Sequence, residues 1–291
     1  MYLLIIGSEG QLGTALKNTA VRLGLNNCIF LSKSDLDITN NAKVEEYFKN
    51  NIVKDAVVIN CAAYTDVEKA ESEPEKAFQV NSLGVKNIVE SCRESGIKFI
   101  HISTDFVFNG LKSGLYNESD MPDPVSIYGK SKAEGEKAVL ENPENCLIVR
   151  TSWLYSTTHN TFLNKIIERS KAGTQLKVVE DEIGSPTYAS DLAETLIQIC
   201  GRISEIENFR TAVYHYCNTG SVSRYEYAKK IVEFSKAPIE VVPVLSKYLN
   251  MKAKRPSNSS LDNSKIIKEF GIKIRNWDEA LKEAVEKINE Q

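Results

Sequence analysis

The segment Tyr128-Gly129-Lys130-Ser131-Lys132 sets a phenol and an ammonium four residues apart, on one face if the segment is helical. A phenol with its ordinary pKa of about 10 is a poor acid–base group at neutral pH. A neighbouring ammonium stabilises the phenolate and lowers that pKa, so that a proton can pass to or from a carbonyl oxygen. Many solvated helix faces carry the same spacing, and a third partner has to give it meaning. Ser103-Thr104-Asp105 follows an apolar run and supplies hydroxyls that could hold the same carbonyl.

A second chemical signal lies near the N-terminus, in Gly7-Ser8-Glu9-Gly10-Gln11-Leu12-Gly13. Glycines between an apolar strand and a helix let the backbone turn tightly and approach a pyrophosphate. The helix N-terminus adds free N–H groups and a partial positive charge. The spacing Gly-x-x-Gly-x-x-Gly differs from the usual Gly-x-Gly-x-x-Gly. A glycine turn without a ligand would look alike, but strand before and helix after favour a dinucleotide. An acid ending the second strand would bind a ribose 2′-hydroxyl and select NAD. Here the strand ends Phe30-Leu31-Ser32-Lys33, with Asp35 and Asp37 following. Ser32 and Lys33 are placed to meet a 2′-phosphate, which tilts the expectation to NADP(H) and leaves NADH as the alternative.

These groups need elements to position them. Apolar runs at 2–6, 28–31, 56–60, 98–102 and 147–151 read as strands. Amphipathic stretches at 11–23, 41–50, 74–95 and 127–140 read as the helices between them. Short strands alternating with longer helices imply an α/β fold: a Rossmann-type, doubly wound parallel sheet covered on both faces. Beyond residue 151 the alternation is less regular, with helices expected at 161–171, 190–199, 224–235 and 277–288. We therefore expect a nucleotide-binding domain over 1–151. Residues 152–291 should form a smaller, mainly substrate-binding lobe, with segments returning to the core.

Bulk properties narrow the function classes. The chain has 291 residues, 42% hydrophobic and 26% charged, with a formal net charge of −3. That balance argues against a general nucleic-acid surface. Six scattered cysteines without a Cys-x-x-Cys pair read as free thiols in a reducing compartment. The histidines, His101, His159 and His215, lack metal-ligand spacing. No apolar stretch approaches the roughly 18 residues that cross a bilayer, and residues 2–6 are too short for a secretory signal. The expectation is a cytoplasmic protein with no metal, membrane or nucleic-acid partner.

Longer blocks make a resemblance specific over essentially the whole chain. They are Asn60-Cys61-Ala62-Ala63-Tyr64-Thr65-Asp66-Val67-Glu68-Lys69-Ala70-Glu71, Ser103-Thr104-Asp105-Phe106-Val107-Phe108 and Tyr128-Gly129-Lys130-Ser131-Lys132. Arg150-Thr151-Ser152-Trp153-Leu154-Tyr155, Gly184-Ser185-Pro186-Thr187 and Arg255-Pro256-x-Asn258-Ser259-x-Leu261 continue the series. With them the chain resembles the dTDP-4-dehydrorhamnose reductase family of extended short-chain dehydrogenases. It departs at His101-Ile102, where many relatives carry an aromatic at the second position.

The resemblance implies NADPH-dependent reduction of a nucleotide-linked 4-keto-6-deoxy sugar. Tyr128 would give a proton to the C4 oxygen, Lys132 would hold the nicotinamide ribose, and Thr104 would bond the keto group. Gly7, Gly10, Gln11, Leu12 and Gly13 would cradle the pyrophosphate, Asp37 and Ile38 would flank the adenine end, and Ala63, Tyr64 and Thr65 would line the cleft. Asp105 and Trp153 would touch the substrate. Arg255 would suit a diphosphate, although exposed loop arginines are common. Mid-helix Asn81 reads equally as a polar contact near the cofactor or a surface residue, and Glu68 to Glu73 as a solvated helix start. Magnesium and a homodimer are implied for some members by resemblance alone. A sugar 4,6-dehydratase would carry an Asp-Glu pair where this chain has Asp105-Phe106. An epimerase and a non-catalytic NADP-binding regulatory subunit, like that of methionine adenosyltransferase, stay as alternatives.

Overall fold

Strands such as Ala56–Asn60, with no polar face, have to be covered from both sides. The computed structural model describes residues 1–171, 173 and 175–290. Six parallel strands build its central sheet: β1 (Tyr2–Ile6), β2 (Cys28–Leu31), β3 (Ala56–Asn60), β4 (Lys98–Thr104), β5 (Cys146–Thr151) and β6 (Ala212–Tyr216). Their order across the sheet is β6-β5-β4-β3-β1-β2. The chain leaves β1 to one side for β2, then crosses back to β3 on the other. Such a reversal opens a crevice at the carboxyl ends of the strands. Ile6 is level with Asn60, and Thr104 with Thr151. Gly7, Cys61, Asp105 and Ser152, one residue past each strand, therefore emerge along a common edge.

One face of the sheet packs Leu3, Ile5, Val57 and Ile59 against helices Gln11–Arg22, Ala189–Ser204 and Ser264–Phe270. The other packs Leu4, Ile6, Val58 and Phe99 against helices Asn41–Asn51, Gly84–Glu94 and Ile127–Leu140. A separate apolar cluster, including Tyr155, Leu163, Ile166, Tyr227 and Leu281, joins helices Phe162–Lys171, Arg224–Ser235 and Trp277–Asn289. Strand β6 and helix Ala189–Ser204 belong to the central sheet layers although both lie beyond residue 151. The alternation of Ala212 to Tyr216 left β6 unforeseen, because its partner β5 is more than sixty residues away in sequence.

Local signals start the functional helix where the spacing predicts. The Ser126 side chain accepts from the Gly129 N–H and caps Ile127–Leu140. The stretch expected as one helix over 74–95 is instead Pro74–Phe78 and Gly84–Glu94 joined by a π turn, Gln79–Leu83. A π turn inserts a residue and re-aims a side chain. Here Asn81 is fully buried, clasping Tyr64 through its backbone N–H (2.8 Å) and C=O (3.0 Å) and donating to Ser131 Oγ (2.9 Å). The surface reading of Asn81 is corrected: a π turn carries it inward.

Candidate active site

At the crevice the glycines have different jobs. Gly7 has φ +82°, and a Cβ there would sit 2.5 Å from the Ala62 nitrogen. Gly13 would drive a Cβ into the Gly7 carbonyl. Both are fixed by the chain's own packing. Gly10 is not: its φ is −74° and the nearest atom to an added Cβ is 3.5 Å away. Gly10 is also the N-cap of helix Gln11–Arg22, with no side chain bonded to the first turn. The chain's own packing does not require a glycine there, and without a side chain the first-turn N–H groups stay open to close approach.

Those groups open on a cleft of about 280 Å³ lined by Gly7, Gly10, Lys33, Asp37, Ile38, Ala63 and Tyr64. Buried Gln11 Oε1 has no partner among the described residues. The Leu12 side chain is buried in the core, so its backbone is what remains for a ligand. Asp37 accepts from the Thr39 N–H (3.0 Å) and hydroxyl (2.8 Å), which holds its carboxyl below the usual range. Asp35 accepts from the Ser32 N–H (2.8 Å) and hydroxyl (2.6 Å). Ser32 is therefore occupied with Asp35, while Lys33 lines the cleft.

Gly10→Ala is expected to fold, with an unfolding midpoint within about 3 °C of the parent. Its affinity for a pyrophosphate-bearing cofactor should fall at least about tenfold, roughly 1.4 kcal/mol. Thermal unfolding and calorimetric titration check the pair; unchanged affinity would remove the cradle from the glycine turn.

At the end of β4, Thr104 Oγ1 donates to Asp105 Oδ1 (2.9 Å) and accepts from the Phe106 N–H (3.2 Å). Ser152, emerging beside it from β5, donates to Asp105 Oδ2 (2.9 Å). Asp105 is thus buried with both oxygens engaged, and burial raises its pKa although these hydroxyls oppose the rise. Tyr128 is buried edge-on to the Phe106 ring, 5.5 Å between centroids. Burial pushes its phenol up to about 12; the Thr104 hydroxyl opposes this and the Asp105 charge adds to it. The expected lowering by an ammonium is corrected, since desolvation dominates and the Lys132 Nζ is bonded elsewhere. Its Nζ donates to the Ile102 carbonyl (2.7 Å) and meets His101 Nε2 at 3.3 Å. Burial brings Lys132 down to about 8, opposed by Glu136 one turn further along the helix. Glu136 is itself held by Arg150 in a buried two-point pair, 2.9 and 2.6 Å.

Across the strand ends lies a second group. Trp153 has φ +47°, a left-handed conformation uncommon for a bulky residue. Its indole abuts Gly184, and the Arg224 guanidinium stacks 3.6 Å from its ring centroid. Arg224 pairs with Glu182 at 3.9 Å. Burial pulls Arg224 down to about 10, with Glu182 and Asp105 opposing and Arg255 reinforcing the fall. Arg255 donates to Glu68 (3.0 Å), whose carboxylate also accepts from the Lys252 N–H (2.9 Å), while Arg255 Nε is buried without a partner. Glu68 opens the helix Val67–Ala70 partly exposed, and it also ties that helix to the loop that carries Arg255.

The RmlD substrate binding domain model matches residues 1–290. A dTDP-4-dehydrorhamnose reductase of Aggregatibacter actinomycetemcomitans is 40% identical over 286 residues, covering 96% of this chain and 97% of that one. The crystal structure of a dTDP-4-dehydrorhamnose reductase from Clostridium acetobutylicum superposes with a TM-score of 0.92 at 35% identity, covering 99% of this chain and 100% of that one. A Bacillus anthracis dTDP-4-dehydrorhamnose reductase, solved in complex with NADP, gives 0.90 at 33% identity with the same coverage. The chain belongs to the dTDP-4-dehydrorhamnose reductase family.

As a member of that family it brings together most of the residues its sequence nominates. Thr104, Asp105 and Tyr128 meet at the end of β4, the glycine turn faces Ala63 and Tyr64 across the cleft, and Thr65 is exposed beyond them. Arg224 was missed by sequence reasoning. It opens an ordinary amphipathic helix, and only the packing of that helix on Trp153 exposes its role. Among the described residues no three His, Cys, Asp or Glu converge as a metal site, so the magnesium implied by resemblance finds no such ligand set here. No described helix is long and apolar enough to cross a membrane. All six cysteines are free.

Proposed function

We propose that this protein reduces the C4 keto group of dTDP-4-dehydrorhamnose, giving dTDP-rhamnose, with NADPH as reductant. The observation that carries the reading is the convergence of Tyr128 and Thr104 at the end of β4, beside a phosphate-ready glycine turn. NADPH, when bound, supplies the hydride that reaches C4. Tyr128, protonated at neutral pH because its phenol is pushed up to about 12, gives the proton that completes the alcohol at O4. Thr104 orients the keto oxygen through its hydroxyl. Lys132 would hold the nicotinamide ribose. Gly10, Gln11 and Leu12 hold the pyrophosphate by their backbone, Gly7 and Gly13 shape that turn, and Asp37 and Ile38 take the adenine end.

Trp153 and Asp105 form the sugar side of the site. Arg255 and Arg224 are two guanidinium groups suited to a sugar-nucleotide diphosphate. A cleft of about 460 Å³ beside Arg255, lined by Asn109, Asp181 and Lys247 among others, has room for the nucleoside. On this reading residues 1–151 bind the cofactor and 152–291 mainly the substrate. A second copy of the chain is inferred from the family alone, and a cytoplasmic location from the family together with the free cysteines.

Oxidation of NADPH, followed by absorbance against a panel of nucleotide 4-keto-6-deoxy sugars, tests the proposal. Stoichiometric consumption with the dTDP-linked sugar is expected. An epimerase would return its cofactor and consume none, and a regulatory subunit would bind NADPH without turnover. Because Asp35 and Asp37 are turned onto Ser32 and Thr39 and Lys33 lines the cleft, NADPH should bind at least as tightly as NADH. A strong preference for NADH in calorimetric titration would overturn that selection.

A further inference from the structure

Lys132 does not reach into solvent; it ends against a fully buried histidine. The direction of every hydrogen bond leading to that histidine can be followed from the backbone. The Ala62 N–H, which can only donate, is bonded to Asn60 Oδ1 (3.1 Å). Turning the amide over would set its NH₂ against that N–H, so Asn60 presents Nδ2 to His101 Nδ1 (3.3 Å). Nδ1 must then accept. A neutral imidazole whose Nδ1 accepts carries its proton on Nε2, and Nε2 is the atom facing Lys132 Nζ at 3.3 Å. An ammonium there would meet N–H with N–H. An amine would accept from His101 and still donate to the Ile102 carbonyl.

We propose that Ala62, Asn60 and His101 form a directional relay that turns the His101 Nε2–H toward Lys132 and so makes Lys132 easier to deprotonate than an ordinary lysine. His101 is on this account a positioning residue, acting through Lys132. The inference rests on Lys132 being the cofactor-side lysine of the proposed reaction.

The surroundings agree with this direction. His101 is stacked on Phe99 in the core, and burial together with the neighbouring Lys132 holds its pKa well below the usual value, so the imidazole stays neutral. Two other ionisable groups bear on Lys132: Glu136 on its own helix and Cys61 after β3. Glu136 is the one full negative charge among these, and Arg150 occupies both of its oxygens. The Cys61 thiol is pushed up to about 12 by burial and stays protonated. Among the described residues, neither group that bears on Lys132 offers it an unpaired negative charge, and burial brings it down to about 8.

Two NMR measurements on the cofactor-free protein test the relay without any turnover. Long-range ¹H–¹⁵N correlation should show His101 as a neutral ring protonated on Nε2; a proton on Nδ1, or an imidazolium, overturns the proposal. Lysine ¹³Cε titration, with the Lys132 signal assigned by its loss in Lys132→Met, should show Lys132 titrating at or below about pH 8 while exposed lysines titrate near 10.4. His101→Phe keeps the stacked ring but removes the N–H, and should move the Lys132 titration up by about one pH unit, a tenfold change in its proton affinity. A downward move, or none, overturns the proposal, since an Nε2 lone pair would have been stabilising the ammonium. Should His101→Phe not fold, the wild-type tautomer and titration still decide. Failure to reduce a keto-sugar would sink the proposed function and leave these two signals as they are.

Discussion

Replacing Tyr128 by phenylalanine is expected to lower turnover by about 10²–10⁴-fold, the usual contribution of a positioned acid. The fold should be preserved, because the ring packs against Phe106 in either residue, and Thr104, the phenol's hydrogen-bonding neighbour, keeps Asp105 and the Phe106 N–H as partners. NADPH affinity should stay within about threefold, equivalent to less than 1 kcal/mol, because the cradle is formed by the glycine turn and Lys132. Steady-state kinetics with the dTDP-linked keto-sugar, paired with calorimetric titration of NADPH, separate the two expectations. A Tyr128→Phe enzyme that reduces the sugar at near-parental rate would remove the acid from the mechanism.

The largest effect on stability is expected from Glu136→Ala. Glu136 and Arg150 are among the least exposed charges in the chain, with side chains 2% and 3% accessible. Removing the carboxylate leaves a guanidinium buried beside His215 (3.4 Å) and stacked on Phe108 (5.1 Å to the centroid), neither of which can neutralise it. Breaking one side of a buried pair costs about 3–5 kcal/mol. In a chain of this size that lowers the unfolding midpoint by roughly 5–8 °C. Replacing both partners with apolar residues, Glu136→Leu with Arg150→Met, should recover most of the loss, since no charge is then stranded. Differential scanning calorimetry of the single and double variants checks this. A single variant that melts within about 3 °C of the parent would show that the pair carries little of the stability. Glu136 also supports the charged form of Lys132 from one turn away, so the variant that survives folding should show Lys132 titrating lower still.

Much of this protein is legible before any coordinates. Apolar runs of four to six residues between amphipathic stretches dictate a parallel sheet with two covered faces, because period and polarity are local properties that need no partner to be read. The glycine turn is legible for the same reason, as is the tyrosine–lysine spacing, since helical geometry alone puts Tyr128 and Lys132 on one face. The pairing of β6 with β5 is not, because it joins segments far apart in the chain through backbone groups that every residue carries. Arg224 reads as one more exposed-helix arginine until the fold lays it over Trp153. Asn81 reads as a helix residue until a π turn carries it inward to Tyr64 and Ser131. The electrostatics of the site belong wholly to the tertiary structure. Sequence spacing predicts that Lys132 lowers the pKa of Tyr128, whereas burial raises that phenol and turns the lysine toward His101 on β4. Desolvation and hydrogen-bond direction depend on which atoms surround a group in space, and those atoms come from strands and helices that only folding brings together.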